Sequence, residues 1–367
     1  MKNICVITGT RAEYGVLKNL LLKFKFCDQI NLILFVTGSH LDNKYGNTYK
    51  IIEDDKFIIN EKIYMNIEDD SPYDILQSMA IELKEMSKCF LKYKIDYLFI
   101  TGDRYEMLIA SQIGLIYNIP IIHLYGGDVS EGAYDNAIRN SISHMASIHF
   151  VTSPSSYDNL SNMGLSNINL IGDPGLYEIT NFKNDENFLD KYKIPHRKYL
   201  ILIVYHPETL NDKKTNIDNV NLLFDSLIEF KHFNDTNLIF INSNSDNFNF
   251  FINKKIEKLT DNYENIYSYK SLNRYDYFNF IYFSNLFIGN SSSGIYEVPL
   301  FNKLTLNIGI RQKGRDCGNS VIHLKYDKKE IIYNIDYYLN NRFNKKIEYP
   351  FLVSNSLDTI VEKIINS

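Results

Sequence analysis

The sequence predicts an α/β protein built from two Rossmann-like, doubly wound domains facing a cleft. Three observations carry that expectation. Short apolar runs alternate with longer amphipathic stretches along most of the chain, the pattern of a parallel sheet covered by helices on both faces. The series pauses in a charged, less regular section at residues 181–198 and then starts again. A length of 367 residues, 45 % of them hydrophobic, suits two cores better than one.

In the first half, residues 4–8, 30–37, 97–101, 121–124, 148–152 and 168–171 read as strands, because largely apolar runs belong to strands buried on both faces. The stretches 17–26, 75–91, 106–117 and 133–145 read as helices between them. The second series has strands at 199–205, 237–242, 286–289 and 303–307, with helices at 220–230, 273–283 and 293–298. The expected domains are residues 1–180 and 181–355, with a terminal helix in 356–367 packing back on the first domain. In open sheets of this kind ligands bind beyond the carboxyl ends of the strands, so a cleft between the two halves is the expected site.

Composition excludes several classes. The formal charge is −5 and no Lys/Arg-rich stretch carries interleaved aromatics, so no nucleic-acid partner is expected. No run approaches the ~18 apolar residues of a membrane span, so no membrane partner is expected either. After Met1 the first apolar run is too short for a secretory signal. Cys5, Cys27, Cys89 and Cys317 are scattered without a CxxC pair, which suits free thiols in a reducing, cytoplasmic compartment.

The residues that could carry chemistry sit where strands end. Residues 289–294, Gly-Asn-Ser-Ser-Ser-Gly, break an apolar strand into small hydroxyl residues before a helix resumes. Backbone N–H groups and the hydroxyls of Ser291 and Ser292 there suit phosphate oxygens, Gly294 lets backbone approach closely, and Glu297 is placed for a ribose diol. The alternative is an ordinary turn with serine caps. After the first strand, Thr10 and Glu13 have capping-box spacing, which does not account for Arg11, a cation suited to a diphosphate. Asp103 in Gly102-Asp103-Arg104-Tyr105-Glu106 is either a helix cap or a carboxylate raised into the cleft to move a proton. The loop 126–136 brings together Asp128, Glu131 and Asp135, either a solvated turn or acid–base machinery. His206 and His40 end other strands, His206 as a catalytic and His40 as a substrate-binding candidate against a plain structural role for each, and Arg311 lies in a basic loop facing the serines. No histidine spacing resembles a metal site, and neither G-x-G-x-x-G nor a Walker A motif occurs.

Seven segments in this order resemble one family over nearly the whole chain: TGTRAEYG (8–15), TGSHLDNKYGNTY (37–49), GDRYE (102–106), GGDVSEGAYDNAIR (126–139), YHPETL (205–210), GNSSSGIYEVP (289–299) and NIGIRQKGR (307–315). They are similar to the hydrolysing UDP-N-acetylglucosamine 2-epimerases of sialic-acid biosynthesis. The resemblance implies a GT-B-like fold, a UDP-sugar substrate, a homodimer and no metal or redox cofactor. It implies loss of UDP through a 2-acetamidoglycal, then water addition giving the free manno sugar. On this resemblance Asp103 and Asp135 are catalytic carboxylates, and His206 is a histidine near the phosphate. Arg11, Ser291, Ser292, Glu297 and Arg311 are nucleotide contacts. Two positions depart from the family: Tyr125 stands where many members carry glutamate, and Asn140 where they carry histidine. The role of that glutamate then falls to Asp128 or Glu131, or is filled otherwise. The rival readings are the same reaction on UDP-2,4-diacetamido-2,4,6-trideoxyglucose, a glycosyltransferase, and a silent nucleotide-sugar binder.

Overall fold

The computed structural model describes all residues except 44–45, 66–71, 130–134, 181, 209–210, 242–248, 270–271, 342, 344 and 352–354. The chain divides into two compact units, Met1–Glu178 together with Phe351–Ser367, and Ile179–Pro350. Each is a parallel sheet covered by helices.

The first sheet holds β1 (Lys2–Thr8), β2 (Ile30–Val36), β3 (Glu61–Lys62), β4 (Tyr97–Thr101), β5 (Ile121–Leu124), β6 (Ile148–Val151) and β7 (Ile168–Leu170) in the order β3-β2-β1-β4-β5-β6-β7. Ile4, Val6, Phe99 and Phe150 face one core with the helix Arg11–Lys25, whereas Cys5, Ile7, Leu98 and Ile100 face another with helices Pro72–Phe90 and Tyr105–Ile116. Two buried faces explain the unbroken apolar runs. The terminal helix Ser356–Asn366 joins this unit through Leu357, Ile360 and Ile364, which share the core with Leu17, Leu21 and Phe24.

The second sheet holds β8 (Tyr199–Val204), β9 (Thr236–Ile241), β10 (Ile266–Tyr269), β11 (Leu286–Gly289), β12 (Thr305–Ile308) and β13 (Val321–Leu324) in the order β10-β9-β8-β11-β12-β13. In both sheets the winding reverses beside the first strand, between β1 and β4 and between β8 and β11. The crevice outside the carboxyl ends at such a reversal is where open α/β sheets bind ligands. The sequence motifs fall there.

The structure also differs from the expected elements. β3, β10 and β13 are edge strands that were not expected. β3 and β10 bury at most one side chain each, whereas β13, Val-Ile-His-Leu, buries two and carries an apolar run that went unread. The helices Pro154–Asn162 and Lys328–Asn340 were not expected, and neither was Asn249–Asn262. The first helix starts at Arg11, well before its apolar stripe, because Thr10 caps it. The expected helix 293–298 is one α-turn, Ser293–Tyr296, followed by a 3-10 turn over Val298–Phe301 that contains Pro299.

Candidate active site

The carboxyl edge of β1, β4 and β5 assembles the first group. Thr10 Oγ1 accepts the Glu13 N–H at 3.2 Å, and Glu13 Oε2 accepts the N–H of Gly9 at 2.7 Å and of Thr10 at 3.1 Å. This reciprocal capping box fixes the turn, and Arg11 is left exposed on the first helical position. Asp103 follows β4 and is paired with the buried Arg139 guanidinium. Arg139 also donates to the Asp128 carbonyl and, at 2.9 Å, to Asn136 Oδ1, tying the loop after β5 to the loop after β4. Asp135 begins the helix Asp135–Met145, one turn before Arg139. Burial pushes its carboxyl up, and the charge of Asp103 adds to that. One arginine therefore lies close to two carboxylates, Asp103 in an ion pair and Asp135 raised by burial.

The Asp128 carboxylate accepts from Ser156 Oγ at the start of the helix Pro154–Asn162. Glu131 lies outside the described residues. His40 is fully buried, with Nε2 3.1 Å from Thr8 Oγ1 and Nδ1 2.8 Å from Thr48 Oγ1, and burial lowers its pKa to about 4. Its ring is thus a neutral brace between β1 and the loop after β2 rather than the expected substrate contact, because both ring nitrogens are engaged and the side chain is buried.

Behind this edge lies a carboxyl cluster that sequence reasoning missed. Glu106 is fully buried and takes Arg104 in a fork, Nε to Oε2 at 3.0 Å and a terminal nitrogen to Oε1 at 3.1 Å. Glu82, also fully buried, lies 2.8 Å from Thr37 Oγ1, which is itself 2.9 Å from the Ile63 carbonyl. Thr37 Oγ1 donates towards both oxygens with a single proton, so Glu82 receives at most a shared hydrogen bond. Burial first, and then the Glu106 charge, push the Glu82 carboxyl up to about 8, and the same two causes push Glu13 up to about 7.

In the second unit, Gly289 ends β11 with φ 144°, and a Cβ there would stand 2.0 Å from the Val204 carbonyl, so only glycine permits the close approach of β8. Asn290 follows, fully buried. Its Oδ1 accepts the His206 N–H at 2.7 Å, and its Nδ2 donates to the His206 carbonyl at 2.8 Å. Its own carbonyl accepts Arg311 at 3.3 Å and Gln312 Nε2 at 2.8 Å. Glu208 Oε1 accepts the Ile310 N–H at 2.7 Å and fixes the turn that carries Arg311. Asn290 thus joins His206, the serine turn and the basic loop. Ser292 sits at the cap position of its helix but makes no side-chain cap bond, so capping does not occupy its hydroxyl. Ser291 Oγ accepts the Ser293 N–H at 3.3 Å, and Gly294 packs on β11 and β12. Glu297 lies 3.8 Å from Arg274.

Within the first unit the structure brings Asp103, Asp128 and Asp135 together, with Arg11 on the neighbouring strand end. Within the second it gathers His206, Ser291, Ser292, Gly294, Glu297 and Arg311. Arg139 was unassigned in the sequence, although its place four residues after Asp135 on one helix was a usable signal. Among the described residues no group of three His, Cys, Asp or Glu could hold a metal ion, and no helix is long and apolar enough to cross a membrane.

The profile of the UDP-N-acetylglucosamine 2-epimerase family matches residues 24–365. The chain belongs to that family. Polysialic acid biosynthesis protein P7 of Escherichia coli is 34 % identical over 372 residues, covering 99 % of this chain and 94 % of the relative. The hydrolysing GDP/UDP-N,N'-diacetylbacillosamine 2-epimerase of Campylobacter jejuni is 34 % identical over 320 residues, covering 86 % and 82 %. The crystal structure of UDP-GlcNAc 2-epimerase from Neisseria meningitidis bound to UDP-GlcNAc has the same fold, with a TM-score of 0.75 at 18 % identity over 100 % of both chains.

Proposed function

We propose that this family member is a hydrolysing 2-epimerase that converts UDP-N-acetylglucosamine to N-acetylmannosamine and UDP. The observation that carries the reading is the Asp103–Arg139–Asp135 group at the winding reversal of the first sheet. Epimerisation needs a proton taken from C2 and one returned on the opposite face. A charge-paired carboxylate beside one raised by burial provides one such proton carrier. As the C2–H bond breaks, its electrons form the C1=C2 bond of a 2-acetamidoglycal and the C1–O bond to UDP breaks. Water then bonds to C1, C2 regains a proton, and the free manno sugar leaves. Arg311, Ser291, Ser292 and His206 hold the diphosphate, Glu297 the ribose, and Arg11 offsets the leaving charge. The helix after the serines is a single turn whose Gly294, Ile295 and Tyr296 N–H groups close back on Ser291 and Ser292, so the phosphate contacts fall to the hydroxyls and the basic loop rather than to a long helix dipole.

The same chemistry on UDP-2,4-diacetamido-2,4,6-trideoxyglucose is the second reading. It is supported by two relatives named as diacetylbacillosamine 2-epimerases, 34 % and 31 % identical. Comparing kcat/KM for the two UDP-sugars, by UDP release and free amino-sugar formation, separates them. Turnover of UDP-N-acetylglucosamine at least tenfold more efficient supports the first reading, and the reverse order selects the second. We also place the enzyme in the cytoplasm, in keeping with its four free cysteines. We take it to be a homodimer joined through the exposed apolar stripe of Tyr73, Leu76 and Leu83 on the helix Pro72–Phe90.

A further inference from the structure

The residue that turns the chain out of β5 is Tyr125, with φ 68°. A bulky side chain in the left-handed region is strained, and such outliers persist where the surroundings hold them. Here the hold is a hydrogen bond. The Tyr125 phenol donates to Asp173 Oδ1 at 2.5 Å, and the same oxygen accepts the Gly175 N–H at 2.8 Å. Asp173 lies just beyond β7, so the bond reaches across the carboxyl end of β6 between two loops 48 residues apart. Gly175 keeps the space clear. A Cβ there would press on Asp173 Oδ1 at 3.1 Å and on Val16 at 3.3 Å, with the phenol oxygen at 3.5 Å. Both side chains are partly exposed at the sheet edge that also delivers Asp103.

We propose that Tyr125 and Asp173 act as one acid–base unit, the second proton carrier of the epimerisation, an inference that rests on the function proposed above. A phenol with an ordinary pKa of about 10 is a poor base near neutral pH. A carboxylate already accepting its proton changes that, because the phenol can gain one proton as it gives up another. In the removing direction, the proton of C2 passes to Tyr125 Oη while the original phenolic proton passes to Asp173 Oδ1. The electron pair of the C2–H bond goes into C1=C2, and that of the C1–O bond leaves with UDP. Tyr125 ends as it began, and Asp173 becomes a neutral acid. In the returning direction both transfers run backwards. Tyr125 is the catalytic residue of the pair, and Asp173 is a positioning residue that acts through it.

The test compares wild type, Tyr125→Phe, Asp173→Asn, Asp173→Glu and the Tyr125→Phe/Asp173→Asn double variant. It measures kcat and KM against pH on the preferred UDP-sugar, together with UDP affinity. The expected result is a loss of about 100-fold or more in kcat for Tyr125→Phe and Asp173→Asn. The double variant should be no slower than either, one limb of the kcat–pH profile should vanish, KM and UDP affinity should hold, and Asp173→Glu should recover part of the rate. Single variants within threefold of wild type, multiplying losses, or an unchanged pH profile would reduce the contact to a structural brace and overturn the proposal. Tyr125→Phe removes one oxygen only, so it decides the matter even if Asp173→Asn fails to fold. A wild type inactive on both UDP-sugars overturns the functional reading and the relay together, whereas an active wild type matched by its variants overturns the relay alone.

Discussion

Replacing Glu82 with glutamine tests the raised pKa that burial and the Glu106 charge give it. The Glu82 carboxyl holds its proton to about 8, against 4.5 for the ordinary group. Between those values the folded chain binds a proton that the unfolded chain has lost, so stability is fully present below the lower value and declines as pH rises towards the upper one. The slope is about 1.4 kcal/mol per pH unit, or about 3 kcal/mol between about pH 5.5 and 7.5. For a domain of this size that is roughly 5–10 °C in Tm. Glutamine keeps the shape and can still accept from Thr37 Oγ1, but it has no proton to lose. Glu82→Gln should therefore match wild type near pH 5.5 and exceed it by several degrees near pH 8. Far-ultraviolet circular dichroism of thermal unfolding can follow this in a chain without tryptophan. A variant that falls with pH as steeply as wild type would refute the assignment. So would one destabilised near pH 5.5 by about 2 kcal/mol, the cost of losing an ionised acceptor.

Three further outcomes follow from the same geometry. Asp135→Asn should lower kcat by about 10²–10⁴-fold with little change in UDP affinity, since a proton carrier is lost and a contact to nucleotide is not; near-wild-type turnover would return Asp135 to a helix-start role. Asn290→Ala should weaken UDP binding measured by calorimetry, by about 1–3 kcal/mol, because two hydrogen bonds clamping His206 are lost. Unchanged affinity would place the nucleotide elsewhere. Leu76→Lys combined with Leu83→Lys should convert a dimer to a monomer in sedimentation velocity, and an unaltered dimer would move the interface to another face.

What was legible in the sequence follows from burial. β1, β4, β5, β8 and β11 are covered on both faces, so their apolar runs announce them, whereas β10 and β13 are not. The Thr10–Glu13 spacing was readable because a capping box is a local device. Contacts made by the fold were not readable. Asn290 in Gly-Asn-Ser-Ser-Ser-Gly looks like a turn residue, and its grip on His206 arises only because β8 and β11 are neighbours. Tyr125 is visible in the sequence as a departure, but its partner Asp173 lies 48 residues further on and meets it only across β6. The raised pKa of Glu82 likewise depends on burial and on Glu106, from a different part of the chain.

The central claim is tested most directly by incubating the protein in D₂O with UDP-N-acetylglucosamine, and separately with the diacetamido-trideoxy sugar, and following each by NMR. The account predicts one equivalent of UDP and a free manno-configured sugar carrying a single deuterium at C2. A product still linked to UDP, a free sugar that keeps its C2 protium, or no turnover of either substrate would contradict it.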